Sequence, residues 1–577
     1  MKAILRRVND DGQGDWLEFV EGAGEIVAWR PEDVYGALEA VEEALARGSY
    51  AAGLVSYEAA GGLDQALETQ QAGPAPLVWF GLFRRVRQVN VESFGARATF
   101  EAGLWRPTIT RAVYEEALGR IGRYIRAGES YQVNYTFLLE SDFAGDAAGL
   151  CRRLWRAQRG GYGAYLEWKD FAVCSASPEL FFRRDGERIV CRPMKGTARR
   201  GCTIEADERV RQQLLASKKE RAENGMIVDM MRNDLARIAE PGTVALEELY
   251  TAERYPSIWQ MTSTVTARSG AGLAQTMKAL FPCASVTGAP KVRTMEIIKE
   301  LEASWRGVYT GCVGYATPDG HMQFNVPIRT ALVDRQRHRA YYGTGGGIVA
   351  DSTTDAEYEE CRAKAAILAA DTHPFELLET LLWERGRWFL LEKHLSRLAA
   401  TARYFGFELD EKHVRNRLDE TAATLKGSAR VRLTVNEQGE AMVTYGPTPE
   451  RPKQPWRVRL AEEPVDRTNP FLYHKTTRRE VYEQARAGLE DCDDVILWNE
   501  AGEVTESTIG NIAVRQGRFW VTPPVSCALL AGTFRQMLLE AGVLREAVVP
   551  IEVLRNSQEF YILNSVRRWV PGRLTTA

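Results

Sequence analysis

Two lysines stand where an amine could do more than carry a solvated charge. Lys195 lies in Pro193-Met194-Lys195-Gly196-Thr197, after the strand-like run Arg188–Arg192, and a Gly-Thr turn there is expected to project it from the framework. Lys475 lies in His474-Lys475-Thr476-Thr477-Arg478. A lysine whose pKa is lowered by burial becomes a nucleophile or base near neutral pH. Carboxylates accompany them: Glu179 in Ser177-Pro178-Glu179-Leu180, Glu223 in Ala222-Glu223-Asn224-Gly225-Met226, and Glu360 four residues before Lys364. By itself the last pair reads first as an i,i+4 salt bridge worth about 0.3–0.5 kcal/mol. Arg329, in Val326-Pro327-Ile328-Arg329-Thr330, offers a planar fork suited to a carboxylate. Gly345, Gly346 and Gly347 lack a Cβ, so their N–H groups could approach an anion, although a glycine run alone is more often a turn. The six histidines have no metal-ligand spacing and the nine cysteines no CxxC pair, which turns attention to lysines and carboxylates.

These groups need a framework larger than one core. A chain of 577 residues predicts two or more domains. A helix-like stretch over 355–370 closes in Asp371-Thr372-His373-Pro374, giving expected units 1–370 and 371–577. The second unit opens with an expected hairpin, 375–383 and 388–391 around the turn 384–387. The proline-rich segment 446–454 lies between two strand-like runs and is expected to be a loop inside that unit. A hydrophobic content of 45% with 26% charge is that of a globular protein, and a net charge of −3 gives no footprint for nucleic acid. No apolar run reaches the ~18 residues of a membrane span. The start, Met1-Lys2-Ala3-Ile4-Leu5-Arg6-Arg7, lacks a signal-peptide core, so a cytoplasmic location without a membrane partner is expected.

The stretches 175–181, 193–197, 222–235, 285–293 and 343–352, in this order, resemble the chorismate-utilising enzymes. The resemblance implies an α+β fold of antiparallel sheets flanked by helices. Lysine in Pro-x-Lys-Gly-Thr looks like the aminodeoxychorismate synthase component I branch, whereas anthranilate synthases usually carry alanine. It implies amination of chorismate by ammonia to 4-amino-4-deoxychorismate. Lys195 would attack ring carbon C2 while Glu179 gives a proton to the departing 4-hydroxyl. Tyr309, Arg329, Lys364 and the backbone of Gly345, Gly346 and Gly347 would bind substrate, and Glu223 and Glu360 would hold Mg²⁺. Gln260 stands where many relatives have histidine, so no proton transfer is assigned there. Gly149-Leu150-Cys151-Arg152 lacks the Gly-x-Gln that follows a glutaminase nucleophile, so Cys151 is expected to be structural and ammonia to come from solution or a separate glutamine amidotransferase subunit.

Residues 371–577 resemble aminodeoxychorismate lyase, of the α/β pyridoxal phosphate fold type IV. The resemblance rests on Leu391-Glu392-Lys393-His394-Leu395-Ser396-Arg397-Leu398, the Lys475 motif, Val504-Thr505-Glu506-Ser507-Thr508-Ile509-Gly510-Asn511 and Leu530-Ala531-Gly532-Thr533-Phe534-Arg535. It implies that Lys475 carries the cofactor and then removes the substrate's C4 proton, and that Glu506 keeps the pyridine nitrogen protonated. Arg397 would bind the phosphate, with backbone N–H groups at Thr508, Ile509, Gly532 and Thr533. Alone, Arg397 reads as a surface helix arginine and Glu506 as part of a turn. Stand-alone lyases begin with further strands, so either residues before 371 supply an edge or the small domain is trimmed. Fold type IV also implies a possible homodimer. Together the halves imply 4-aminobenzoate synthesis, a folate precursor. The alternatives are an anthranilate synthase component fused to a class IV aminotransferase, and an amino acid transaminase in the second half.

Overall fold

The computed structural model describes all residues except 11, 371, 451, 488–490, 558, 576 and 577. The chain divides into two compact units, Met1–Arg199 with Val210–Thr372, and Arg200–Arg209 with His373–Ala577. The second unit thus contains a short piece from far upstream of 371, which carries no periodic pattern that would announce it.

In the first unit several strands are buried on both faces, so they read as apolar runs rather than alternating ones. In Tyr50–Val55, Ala51 and Val55 enter a core with helices Val34–Ala46, Lys218–Ala236 and Leu273–Leu280, while Ala52 and Leu54 enter a different one. In Thr330–Asp334, Ala331 and Val333 join helices Arg111–Arg126, Ala147–Gln158 and Lys291–Leu301, while Leu332 points to that same inner core. The layers are therefore helices, sheet, sheet, helices. Trp79 and Trp168 stack at 4.5 Å in the middle. Full burial of a Leu such as Leu54 is worth roughly 1.5–3 kcal/mol. The strand pairings that position the site are antiparallel: Arg339–Ile348 with Gln132–Gly145, and both Arg188–Arg192 and Met194–Arg199 with Ile258–Arg268.

The expected Gly-Thr turn after Lys195 is instead a bulge within a strand. Met194 pairs with Thr262 and Thr197 with Gln260, with a register shift between them, so Lys195 and Gly196 together oppose Met261. Gly196 has φ +101°, a conformation that strains any residue with a Cβ. A turn would have ended the strand; the bulge re-aims Lys195 and lets pairing continue to Arg199.

The second unit opens with strand Leu377–Glu384, which pairs with Arg387–Phe389 through the tight turn Arg385-Gly386, both at positive φ. The return strand is shorter than the expected 388–391, because helix Leu391–Phe405 begins at once. Ala429–Val435 and Ala441–Pro447 complete this sheet, and the proline-rich stretch follows as the connection to strand Trp456–Leu460. Six further strands pair around into a closed ring: Val504–Ser507, Asp494–Trp498, Trp456–Leu460, Arg568–Leu574, Phe560–Asn564 and Gly510–Gln516. Val458, Ile496, Val504, Ile512, Ile562 and Val570 fill one core against this ring.

Candidate active sites

Lys195 leaves the bulge into a buried setting. Its Nζ is 3.9 Å from Glu223 Oε2 on helix Lys218–Ala236. Burial lowers the pKa of Lys195, with the Glu223 carboxylate opposing. A Cβ placed on Gly347 would lie 2.2 Å from that Nζ and 3.0 Å from Gln132 Nε2, so the glycine strand comes right up to the amine. The bulge is pinned by side chains. Gln260 donates from Nε2 to Gly196 O at 2.8 Å and accepts from Thr197 Oγ1 at 2.9 Å. Asn224 donates to Lys195 O at 3.1 Å and accepts from Ser263 Oγ at 2.6 Å.

Glu179 is 3% exposed. Burial pushes its carboxyl up to about 7, while a hydrogen bond from Ser285, the Met194 N–H at 3.4 Å, and the charges of Lys195 and Lys364 pull the other way. Such a carboxyl holds its proton for much of the time at neutral pH. Lys364 Nζ donates to Gly345 O at 2.8 Å and pairs with Glu360 at 2.8 Å, so the i,i+4 pair allowed by the sequence is formed. Lys364 in turn holds the Glu360 carboxyl below its ordinary range. A Cβ on Gly346 would stand 3.1 Å from Glu357 Oε2 and 3.9 Å from Lys364 Nζ.

Arg329 has φ +51° and hydrogen-bonds Gln158, and burial lowers its pKa. Among the described residues no carboxylate pairs with it, which leaves a partly buried cation suited to an anionic ligand. Tyr309 is buried against Gly343, where a Cβ would lie 2.1 Å from its ring.

Three residues of this site escape a reading of the sequence. Gln132 is 0% exposed and neither atom of its amide has a partner. Its strand, Gln132–Gly145, also carries Asn134, Thr136, Glu140, Ser141 and Asp142, so its polarity gave no sign that set it apart. Glu220 and Glu357 precede Glu223 and Glu360 by three residues, one helical turn, which was their sign. Burial raises the pKa of both, and Glu360 raises each further. No group of three Asp, Glu, His or Cys arranged for a metal occurs among the described residues. Four carboxylates nevertheless share the surroundings of Lys195 and Lys364, and a divalent cation fits that excess of negative charge.

In the second unit Lys475 is partly buried, and desolvation with the nearby Arg397 and Arg479 lowers its pKa to about 8. Glu506 accepts from Tyr482 Oη at 2.8 Å, Leu530 N–H at 3.1 Å and Asn511 Nδ2 at 3.3 Å. Burial still raises its carboxyl to about 7. Arg397 is not a solvated helix arginine: its Nε and Nη2 donate to the two oxygens of Glu379 at 2.8 and 2.7 Å, and Nη1 donates to Ala531 O at 3.1 Å. Burial alone would raise Glu379, but Arg397 and His394 hold it down at about 2. His394 also meets Thr533 Oγ1 at 3.2 Å. Helix Thr533–Glu540 starts at Gly532, so its first N–H groups have no partners within the helix. Thr508 uses its N–H on Val495 O at 3.1 Å and its hydroxyl on Asp494, and Ile509 N–H lies 3.4 Å from Ser507 Oγ. A depressed amine, a carboxyl near 7, an arginine and a helix N-terminus make a donor set that fits pyridoxal phosphate.

Among the described residues no cysteine forms a disulfide, and Cys151 is buried in helix Ala147–Gln158. Among the described residues no helix is long and apolar enough to cross a membrane.

Two family models match successive stretches of the chain. Residues 376–574 match the class IV amino-transferase family. Aminodeoxychorismate synthase component 1 of Salmonella typhimurium is 41% identical over 295 residues, 51% of this chain and 64% of that protein. Anthranilate synthase component 1 of Aquifex aeolicus is 39% identical over 266 residues, 46% of this chain and 53% of that protein. The chain thus spans less than two-thirds of the length of these relatives. Two solved structures share the fold: anthranilate synthase component I from Streptococcus pneumoniae, with TM-score 0.52 and 22% identity over 61% of this chain and 92% of that one, and the menaquinone-specific isochorismate synthase MenF from Escherichia coli, with TM-score 0.51 and 18% identity over 64% and 88%. Residues 10–370, more than half of the chain, match the chorismate binding enzyme family, and the chain belongs to it.

Proposed function

We propose that this chain converts chorismate and ammonia to 4-amino-4-deoxychorismate in its first unit and eliminates pyruvate from that product in its second, giving 4-aminobenzoate. The observation that carries the reading is the Lys195 amine, largely withdrawn from solvent and lowered in pKa, against Gly347 in a unit that also holds a Glu179 carboxyl near 7.

Arg329 and the backbone of Gly345, Gly346 and Gly347 bind the substrate's carboxylates, with Tyr309 and Lys364 beside them. Neutral Lys195 attacks C2, the ring double bond shifts, and the C4–O bond breaks as Glu179 gives its proton to the departing hydroxyl. Ammonia then bonds to C4 and the C2–N bond to Lys195 breaks, restoring the amine. Without the lysine, ammonia adding at C2 would lead toward anthranilate. Glu223 and Glu360 would hold Mg²⁺, which when bound neutralises a substrate carboxylate. The name component 1 on the relatives supports a separate glutamine amidotransferase subunit as the ammonia source.

In the second unit Lys475 would hold pyridoxal phosphate, and its amine would take the substrate's C4 proton. Glu506 would hold the ring nitrogen, and Arg397 with the N-terminus of helix Thr533–Glu540 would hold the phosphate. The cofactor when bound supplies an electron sink for that proton loss. Chorismate with ammonium and Mg²⁺, with and without pyridoxal phosphate, tests the reading. The expected product is 4-aminobenzoate with the cofactor and aminodeoxychorismate without it; anthranilate in both arms would overturn it.

A further inference from the structure

The residue before Lys475 is held by a segment that the family match assigns to the other half of the chain. His474 is 6% exposed and donates from Nε2 to Cys202 O at 3.0 Å. Its ring stacks on Tyr404 at 4.1 Å. The opposing support of Tyr404 is Arg200, whose guanidinium lies 4.1 Å from the ring centroid and whose Nη2 donates to Tyr404 O at 2.9 Å. Arg200 is fixed by Asp207, with Nη2 to Oδ2 at 2.6 Å and Nε to Oδ2 at 3.0 Å, and Asp207 Oδ1 accepts from Gly201 N–H at 3.1 Å. Gly201 must lack a Cβ, because one would lie 2.4 Å from the backbone at Ala206 and Asp207. Beyond the clamp, Lys475 O accepts from Leu378 N–H at 3.0 Å, tying the lysine's backbone to strand Leu377–Glu384. The ion pair is nearly closed to solvent, with side chains 5% and 8% exposed, so it is not a surface pair of negligible worth.

We infer that Arg200–Arg209 is a positioning element of the Lys475 site, acting through Arg200, Tyr404 and His474, so that the second unit's active site is completed by residues lying within the stretch 10–370. A neutral His474 is required, since only then is its donation to Cys202 O free of the cost of a buried charge, and burial pushes its pKa down to about 4. The same segment bears on the missing N-terminal strands of stand-alone lyases. The second unit does draw on residues before 371, and they arrive as a clamp on His474 and not as an added strand.

The inference rests on the reading of Lys475 as the cofactor-bearing residue, and the experiment separates the two. In the full-length, cofactor-free chain, hydrogen exchange of the amides over 471–477 is followed in Arg200→Ala and in Asp207→Asn, which keeps size and removes the charge. Exchange there should rise at least about tenfold, with the ring strands Asp494–Trp498 and Phe560–Asn564 unchanged. Attachment of added pyridoxal phosphate, read by absorbance, should slow in the same variants. Unchanged exchange at 471–477 would overturn the clamp, and so would a uniform loss of protection over the whole unit, which would mark Arg200 as general scaffold. If the parent chain attaches no pyridoxal phosphate, the functional reading of Lys475 fails while the exchange result still decides the clamp.

Discussion

Lys195 can form a bond to carbon only when neutral, and Glu179 can release a hydroxyl only when protonated, so the two set opposite limbs of one pH profile. Synthase turnover should rise with pH as Lys195 loses its proton and fall again as Glu179 loses its own, near 7. Glu179→Gln should remove the alkaline limb and lower the rate by about 10²–10⁴-fold. Folding gives an independent check. A carboxyl raised in the folded state, here from 4.5 to about 7, contributes stability that is complete below 4.5 and is lost as pH climbs through 7. Denaturant midpoints of Glu179→Gln should therefore fall less over that window than those of the parent. Lys195→Ala should abolish 4-aminobenzoate formation from chorismate while supplied aminodeoxychorismate is still processed; undiminished synthase turnover would remove Lys195 from the mechanism. If Glu223 and Glu360 hold Mg²⁺ as proposed, replacing either by Gln removes a charged oxygen ligand and should move the Mg²⁺ midpoint of activity to higher concentration. If neither midpoint moves, Glu360 is left with only its ion pair to Lys364.

The strand Arg339–Ile348 is the element on which the first site depends. At Gly347 a methyl group would meet the far end of the flexible Lys195 side chain, which can swing away. Gly347→Ala should therefore fold as well as the parent, with a backbone gain of roughly 0.5–1 kcal/mol available from replacing glycine in a strand. The cost falls on chemistry, because the displaced amine no longer stands where the substrate binds. A thermal midpoint at or above the parent's, together with synthase activity down by at least about tenfold, is the expected pair of results. Unchanged activity would show that Lys195 does not need its observed position. The bulge at Lys195-Gly196 works with this strand, since Gln260 and Asn224 pin it from two sides.

For the molecule as a whole the two units should be separable in function. Lys475→Ala should abolish borohydride-fixable pyridoxal phosphate and leave consumption of chorismate and ammonium intact, so that aminodeoxychorismate accumulates. Production of 4-aminobenzoate at the parent rate would refute the account of the second unit. The division into units is what permits the prediction, because Lys195 and Lys475 belong to different cores, each with its own charged surroundings.

The sequence by itself determined the family and the chemical residue types, because the motifs around Lys195, Glu223, Gly345–Gly347, Lys475 and Glu506 are local strings whose order survives in one dimension. It also determined the hairpin at Arg385-Gly386 and the loop after Pro447, where short-range backbone preference is enough. Tertiary structure decided the rest. The turn expected after Lys195 became a bulge because Ile258–Arg268 continues to pair beyond it, and a partner strand 60 residues away leaves no mark on a local pattern. Gln132 looked like any of several polar residues in its strand until folding placed its unpartnered amide beside Gly347. Arg200–Arg209 joined the second unit through the Arg200 guanidinium on the Tyr404 ring and carbonyl and through the Cys202 carbonyl on His474, contacts between residues 204 and 272 positions apart that no spacing in the sequence records. Burial is the common cause: it shifts Lys195, Glu179, Lys475 and Glu506 toward the protonation states that chemistry needs, and burial exists only once the chain has folded.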